Sequence, residues 1–288
     1  MRPAMGKNKR KKKLREQGLT KKTADRHDLY QRAVQNPGFE VDLFHRFYER
    51  RVGRRAVSLR EDFCGTALLC GEWVESHEKR EALGVDIDAS VLEWGRQHVL
   101  SGLGDAVERV TLVEGDVRDM HDGTHDVVVA LNYSYFCFKD RDTLRGYFEA
   151  ARRHLAADGL FFCDLFGGWE AQQELKEKRK VDKAFKYVWH QASYNPITAD
   201  FLAHIHFELP DGSKLKKAFT YDWRLWTLPE VRELLHEAGF GHVEVLWEDE
   251  DDEGDGNGNF RRRTKVTNDP GFNAYLMASV QTPPKLRK

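Results

Sequence analysis

Five apolar runs in this chain, Ala56–Leu59, Ala82–Ile87, Val110–Val113, Val127–Leu131 and Leu160–Phe166, each carry or are closed by acidic or amide side chains. Glu61-Asp62 follow the first run, and Asp86 and Asp88 end the second. Glu114 and Asp116 follow the third, Asn132 follows the fourth, and Asp164 lies in the fifth. Any one of them is an ordinary cap or turn residue. Five in register describe a ligand, because carboxylates accept hydrogen bonds from ribose hydroxyls and ammonium groups and repel a pyrophosphate. The turn after the first run, Glu61 to Ala67 (EDFCGTA), holds one glycine, no lysine and no G-x-G-x-x-G, so it lacks the usual phosphate cradle. Asp86 stands about 20 residues beyond that turn, the separation at which an acid reaches a ribose. The pattern predicts a ligand with a ribose and a cationic end.

These groups converge only if the runs are strands of one sheet. Helical patterns at Ala67–Ser76, Ser90–Ser101 and Asp142–Ala156 lie between them. Strands alternating with helices predict an α/β fold with a doubly wound, mainly parallel sheet, whose ligands bind beyond the carboxyl ends of strands. Two helices, Asp25–Gln35 and Phe39–Arg51, precede the sheet around the breaker Asn36-Pro37-Gly38. After Gly167-Gly168 the reading is a charged helix over Trp169–Lys180 and three alternating strands, Phe185–Ser193, Ala199–Glu208 and Leu215–Asp222. Pro210-Asp211-Gly212 turns between the last two. Thr227 to Glu230 form a capping box for a helix that Gly239 stops. Two final strands, His242–Trp247 and Ala274–Gln281, flank an acidic loop, Glu248–Asn259. The organisation expected is a basic arm (1–22), a helical lid (23–55), a core (56–168 and 223–288) and an antiparallel β cap inserted after the fifth strand (169–222).

Over about Ala56–Val280 the chain resembles the class I S-adenosylmethionine-dependent methyltransferases. EDFCGTA is similar to the D/E-x-G-x-G-x-G turn of that family, with Gly65 retained and Phe63 and Ala67 in place of two glycines. LGVDID, VEGDVRD and HDVVVALNYSYF are similar to its next three motifs, in the same order and spacing. TLPEVRELLHEAGFGHVEVLWED and NAYLMASV resemble its final helix and strand pair. The resemblance implies a Rossmann-like, seven-stranded fold and S-adenosyl-L-methionine as cofactor. It places Asp86 on the two ribose hydroxyls with Ile87 beside it, Asp116 on the exocyclic amine, and the Val117 backbone at the ring. Glu61, Phe63, Cys64 and Gly65 surround the methionine part, which Phe63 is expected to narrow. Asn132 faces the reacting methyl group, and Tyr30 of the lid offers the sulfonium its hydroxyl or ring face. Asn132-Tyr133-Ser134-Tyr135 is similar to the N-P-P-Y loop of amine methyltransferases, without the prolines, making Asn132, Tyr133 and Tyr135 the catalytic candidates. The competing reading of those tyrosines is sheet packing.

Methyl transfer from a sulfonium is a direct displacement, so alignment dominates and a base is needed only if the nucleophile arrives protonated. The cap carries Trp189, Tyr194, Tyr221, Trp223 and Arg224, which suit a small organic acceptor. His204 and His206 share a strand face with no third ligand at metal spacing, so no metal is read. Within a net charge of −1, residues 1–22 hold ten Lys/Arg and one acid, leaving 36 basic and 46 acidic residues elsewhere. Such an arm attracts phosphates. A nucleobase-amine methyltransferase acting on RNA through that arm is therefore one alternative, and a non-catalytic cofactor-binding protein is another. Glu248–Asp255, with seven carboxylates in eight positions, reads as solvated. With no run of about 18 apolar residues and no secretory leader, no membrane role is expected. Cys64, Cys70, Cys137 and Cys163, scattered without a C-x-x-C, read as reduced thiols of a cytoplasmic protein.

Overall fold

The computed structural model describes residues 18–119, 123–250 and 256–281. Most of the expected basic arm (1–17) and the acid-rich stretch 251–255 lie outside the described residues.

Helix α1 (Arg26–Val34) starts where the Asp25 carboxylate accepts the N–H groups of His27 and Asp28. Helix α2 (Pro37–Val52) opens on Pro37, whose missing N–H costs nothing in a first turn. Its apolar side chains Val41, Phe44 and Tyr48 recur every three to four residues and are buried. The core then alternates: β1 (Ser58–Asp62), α3 (Leu68–Glu75), β2 (Glu81–Asp86), α4 (Ala89–His98), β3 (Val110–Glu114), β4 (His125–Ala130), α5 (Arg141–Arg153) and β5 (Leu155–Gly167). Strands β6 (Leu175–Val181), β7 (Phe185–Tyr194), β8 (Asp200–Glu208) and β9 (Lys214–Arg224) follow. Helix α6 (Leu228–Glu237) and strands β10 (His242–Glu250), β11 (Gly256–Arg262) and β12 (Phe272–Ser279) complete the described chain.

The large sheet has the order β11-β10-β12-β5-β4-β1-β2-β3. Pairings from β5 to β3 are parallel, and β12, β10 and β11 add antiparallel. From β1 the chain goes outward to β2 and β3 and then returns to β4 on the other side. The order reverses between β1 and β4, where a doubly wound sheet opens its crevice. Asp62, Val85, Ala130 and Cys163 sit level across four strands. Phe63, Asp86, Asn132 and Asp164, one or two residues on, therefore share one edge. Strand β4 is buried from Asp126 to Ala130, which is why its sequence is an unbroken apolar run rather than an alternating one. Leu59, Val127, Val129 and Phe162 pack with Phe44 and Tyr48 of α2 and Trp73 of α3, each such side chain contributing roughly 1.5–3 kcal/mol on burial.

The described residues up to Asn36, together with Gln172–Trp223, make one compact unit; Pro37–Ala171 with the residues from Arg224 onward make the other. Helices α1 and α2 thus belong to different units. The smaller unit is a sheet of order β6-β7-β8-β9, with Leu29 and Ala33 of α1 packed on Phe185, Ile205 and Phe207.

Two expectations need correction. Trp169–Lys180 is not a helix: a 3-10 turn at Trp169–Gln172 leads into β6, which pairs with β7 from Leu175↔Gln191 to Val181↔Phe185. Its lysines suit an edge strand, where charge blocks further pairing, and the tertiary pairing overrides helix propensity. The large sheet has eight strands, not seven, because the expected loop Glu248–Asn259 contains the end of β10 and the start of β11. Only Phe260 of β11 is buried, so this polar edge strand carries no alternation to read.

Candidate functional site

The turn after β1 is wound by three residues in the left-handed region, Phe63 (φ 59°), Gly65 (φ 52°) and Ala67 (φ 56°). For the two residues bearing a Cβ this costs about 1–2 kcal/mol each. The Cys64 N–H reaches the Val85 carbonyl at 2.9 Å, and the Gly65 N–H donates to the Asp86 carboxylate at 2.8 Å. Helix α4 presses on the turn at Gly95, where a Cβ would lie 2.6 Å from the Thr66 carbonyl oxygen. A Cβ on Gly65 meets nothing within 4 Å, so the turn's outer face is open.

Asp86 is thus tied down from two sides, since its other oxygen accepts the Asp88 N–H at 2.9 Å. Desolvation pushes its pKa up in spite of these bonds. Beside it the Ile87 side chain is 73% exposed, an apolar surface left uncovered at a strand end. Glu61 is buried under the turn, and one oxygen accepts the Cys70 N–H at 3.2 Å and the Cys70 thiol at 3.0 Å. It thereby caps α3, whose own N-cap, Ala67, has no side chain to do so. Burial raises its pKa to about 8. The Cys64 side chain faces the core, leaving only its backbone at the turn. The Phe63 ring packs on Phe138 and Tyr147, with centroids 5.8 and 5.4 Å away.

The second half of the edge is built around Asp164 of β5. Its two oxygens accept the N–H groups of Asn132 (2.8 Å) and Tyr133 (2.9 Å), two successive residues at φ 58°. The carboxylate holds a backbone shape that side chains disfavour. The Tyr133 hydroxyl donates to Asn273 at 2.5 Å. Tyr135 is fully buried and its hydroxyl donates to the Asp164 carbonyl at 2.9 Å, so this catalytic candidate packs behind the loop instead of facing the edge. Burial lifts Asp164 to about 7, and Glu40 of α2, facing Asp164 and Glu61, rises to about 8 through burial and their charges. Three carboxyls at this edge therefore hold protons near neutral pH.

Asp116 is gripped by Arg118, whose Nε approaches its oxygens at 2.9 and 3.2 Å, and this side-chain bonding lowers its pKa. Val117 is buried, and its carbonyl accepts from Nη2 of Arg60 at 3.3 Å. Arg60 is itself fixed by Asp62 at 2.8 Å, and Asp62 by the Tyr147 hydroxyl at 3.0 Å. Asp88 serves as the N-cap of α4. Tyr30 belongs to the smaller unit, where its ring lies 5.0 Å from Phe219. There His190 joins His204 and His206, its ring centroid 5.7 and 5.5 Å from theirs. Sequence reasoning missed Glu40, Arg60, the loop-holding role of Asp164 and the place of Gly95. Only the packing of distant segments exposes them, although the runs LRED and FCDLF do set charges inside apolar strands.

Residues 64–161 match the family profile described as a methyltransferase domain. That stretch, with the relative and the solved structures that follow, makes the chain similar to the S-adenosylmethionine-dependent methyltransferases. It is 33% identical over 202 residues to the malonyl-[acyl-carrier protein] O-methyltransferase of Geobacter sulfurreducens, a match covering 70% of this chain and 62% of that protein. An S-adenosylmethionine-dependent methyltransferase structure from Clostridium acetobutylicum superposes with a TM-score of 0.65 at 16% identity, covering 89% of this chain and 98% of the other. The amino pentose methyltransferase CalS10 from Micromonospora echinaspora gives 0.62 at 13% identity, with 88% and 95% covered. The likeness of these solved methyltransferases to the chain is one of fold. Among the described residues no helix is long and apolar enough to cross a membrane.

Proposed function

We propose that this chain is an S-adenosylmethionine-dependent methyltransferase whose acceptor is a small organic molecule. The observation that carries the reading is Asp86, a carboxylate pinned at the switch-point edge by the Gly65 and Asp88 N–H groups with exposed Ile87 beside it. A carboxylate offers about four lone-pair sites. The lone pairs left by the Gly65, Asp88 and Ile87 N–H groups serve the hydroxyls of a ribose, while the Ile87 side chain offers an apolar face to a base. Glu40 and Glu61, which give up their protons as the ligand docks, supply the negative charge that a cationic end requires.

When bound, S-adenosylmethionine supplies a methyl group already activated on a sulfonium. The chain's own residues bind and align. Asp86 and Ile87 orient the nucleoside, and the open turn at Cys64-Gly65, with Phe63 on one flank and Glu61 beneath, receives the amino-acid portion. Asp116 takes the base amine by sharing an oxygen with Arg118, while Arg60 holds the Val117 backbone in place. Asn132 and Tyr133, fixed by Asp164, present the loop nearest the acceptor, and Tyr135 props that loop from behind. The acceptor class draws support from the relatives, one named for malonyl-[acyl-carrier protein] and one for an amino pentose.

The test is calorimetric titration of S-adenosylhomocysteine into the wild-type protein and Asp86→Ala. Loss of two charge-assisted hydrogen bonds is expected to weaken binding by about a hundredfold. Absence of binding to the wild-type protein would sink the reading.

A further inference from the structure

The larger unit holds a cavity of about 970 Å3 that shares no lining residue with the strand-end edge. Its walls come from the last turns of α2, the first residues of α6, strand β10, and the chain from Phe260 to Val266. The floor is apolar, with Phe47, Trp247 and Phe260 largely buried. Among the described residues the lining carries seven Arg and Lys side chains against one carboxylate, Glu244. Arg51 and Arg262 both turn to Glu244, while Arg261 and Arg263 are held by Asp249. Arg50, Arg232 and Lys265 are exposed and make no ion pair with any described residue.

This accumulation is not the ordinary surface of the chain, which beyond residue 22 has fewer basic than acidic residues. The crowding is felt by the cations themselves. Burial and the charge of Arg262 draw Arg51 down to about 10, and burial with Arg50 and Arg261 lowers Arg46 nearby. Among the described residues two carboxylates, Glu244 and Asp249, stand against seven cations, and a ligand with a single carboxylate would leave most of that excess. A phosphate monoester carries about −1.5 to −2 at pH 7 and offers three oxygens to arginine forks.

We propose that this cavity binds a phosphate-bearing small molecule, its phosphate among Arg50, Arg232 and Lys265 and its organic part against Phe47, Trp247 and Phe260. The shape gives a specific ranking: phenyl phosphate binds more tightly than inorganic phosphate, because only the former covers the apolar floor.

The experiment is calorimetric titration of phenyl phosphate, inorganic phosphate and a ten-nucleotide oligouridylate into the full chain and into Arg50→Gln/Arg232→Gln/Lys265→Gln. All three positions are exposed, so the variant is expected to melt with the wild type. Phenyl phosphate should bind the wild type, outrank inorganic phosphate, and weaken at least about tenfold in the variant. Arg232→Glu alone, an exposed change in the second turn of α6, should act in the same direction. Equal binding by wild type and variant, or no binding of phenyl phosphate, overturns the proposal. Oligouridylate binding far more tightly than phenyl phosphate also overturns it, in favour of an RNA face. Titration of S-adenosylhomocysteine fails or succeeds independently of these outcomes.

Discussion

At the residue scale the edge is defined by what each carboxylate already does. Asp62 and Asp88 are consumed by structure, the first by Arg60 and Tyr147, the second as a helix cap. Asp86 retains capacity. Asp164 is the one whose loss discriminates function from folding. Asp164→Asn keeps one acceptor oxygen but places an amide against a backbone N–H, so either Asn132 or Tyr133 is released from its strained shape. We expect a stability loss of about 1–3 kcal/mol, read by chemical denaturation. Methyl transfer should fall with cofactor affinity nearly intact, since Asp164 touches the loop and not the β1 turn. A matching loss of cofactor affinity would contradict that division. The site was legible in the sequence where a group sits at a strand end, as Asp86 does. It was illegible where partners lie far apart, as Asp164 lies about 30 positions from the amides it holds.

At the element scale, the β1 turn works because α4 can approach it. Gly95→Ala puts a methyl group 2.6 Å from a backbone oxygen that cannot swing away. Overpacking of this kind costs about 1–3 kcal/mol, and a fall in thermal midpoint of several degrees is expected. Because the turn must shift to relieve the clash, S-adenosylhomocysteine affinity should drop as well, which Ala substitution at exposed Gly102 of the neighbouring loop would not produce. The same scale explains the misread segment Trp169–Lys180. Five successive charged residues, Lys176 to Lys180, have no local reason to be a strand, and only the register with β7 makes them one.

At the scale of the whole molecule, the raised carboxyls make stability depend on pH. Glu40 and Glu61 titrate near 8 and Asp164 near 7 when folded, against ordinary values of 4.5 and 3.8. Between those values the folded chain holds protons that the unfolded chain has released. Their contribution is therefore fully present below about pH 4 and is lost as pH rises through 7 to 8. The thermal midpoint without ligand should fall from pH 5.5 to 8.5, and Glu61→Gln should flatten the slope. A ligand with a cationic end stabilises the ionised forms, so its binding near pH 7 should release protons. Calorimetry in two buffers of different ionisation enthalpy measures this, and proton uptake would refute the assignment of charge at the edge. Removal of residues 1–17 separates acceptor classes: turnover of a small molecule is expected to be unchanged, whereas an RNA acceptor would lose affinity and salt dependence together.

The sequence by itself determined the strand–helix alternation, the order of the acidic strand ends and the glycine turn, because each follows from local period and turn chemistry. Tertiary structure decided which of those acids are spent on caps and buried pairs and which stay available. It also decided that β6 and β11 are strands and that seven cations share one cavity. The strands β6 and β11 pair with their sequence neighbours and are hidden by polar composition. The spent acids and the shared cavity depend instead on contacts and desolvation between segments tens to hundreds of residues apart, which no short window contains.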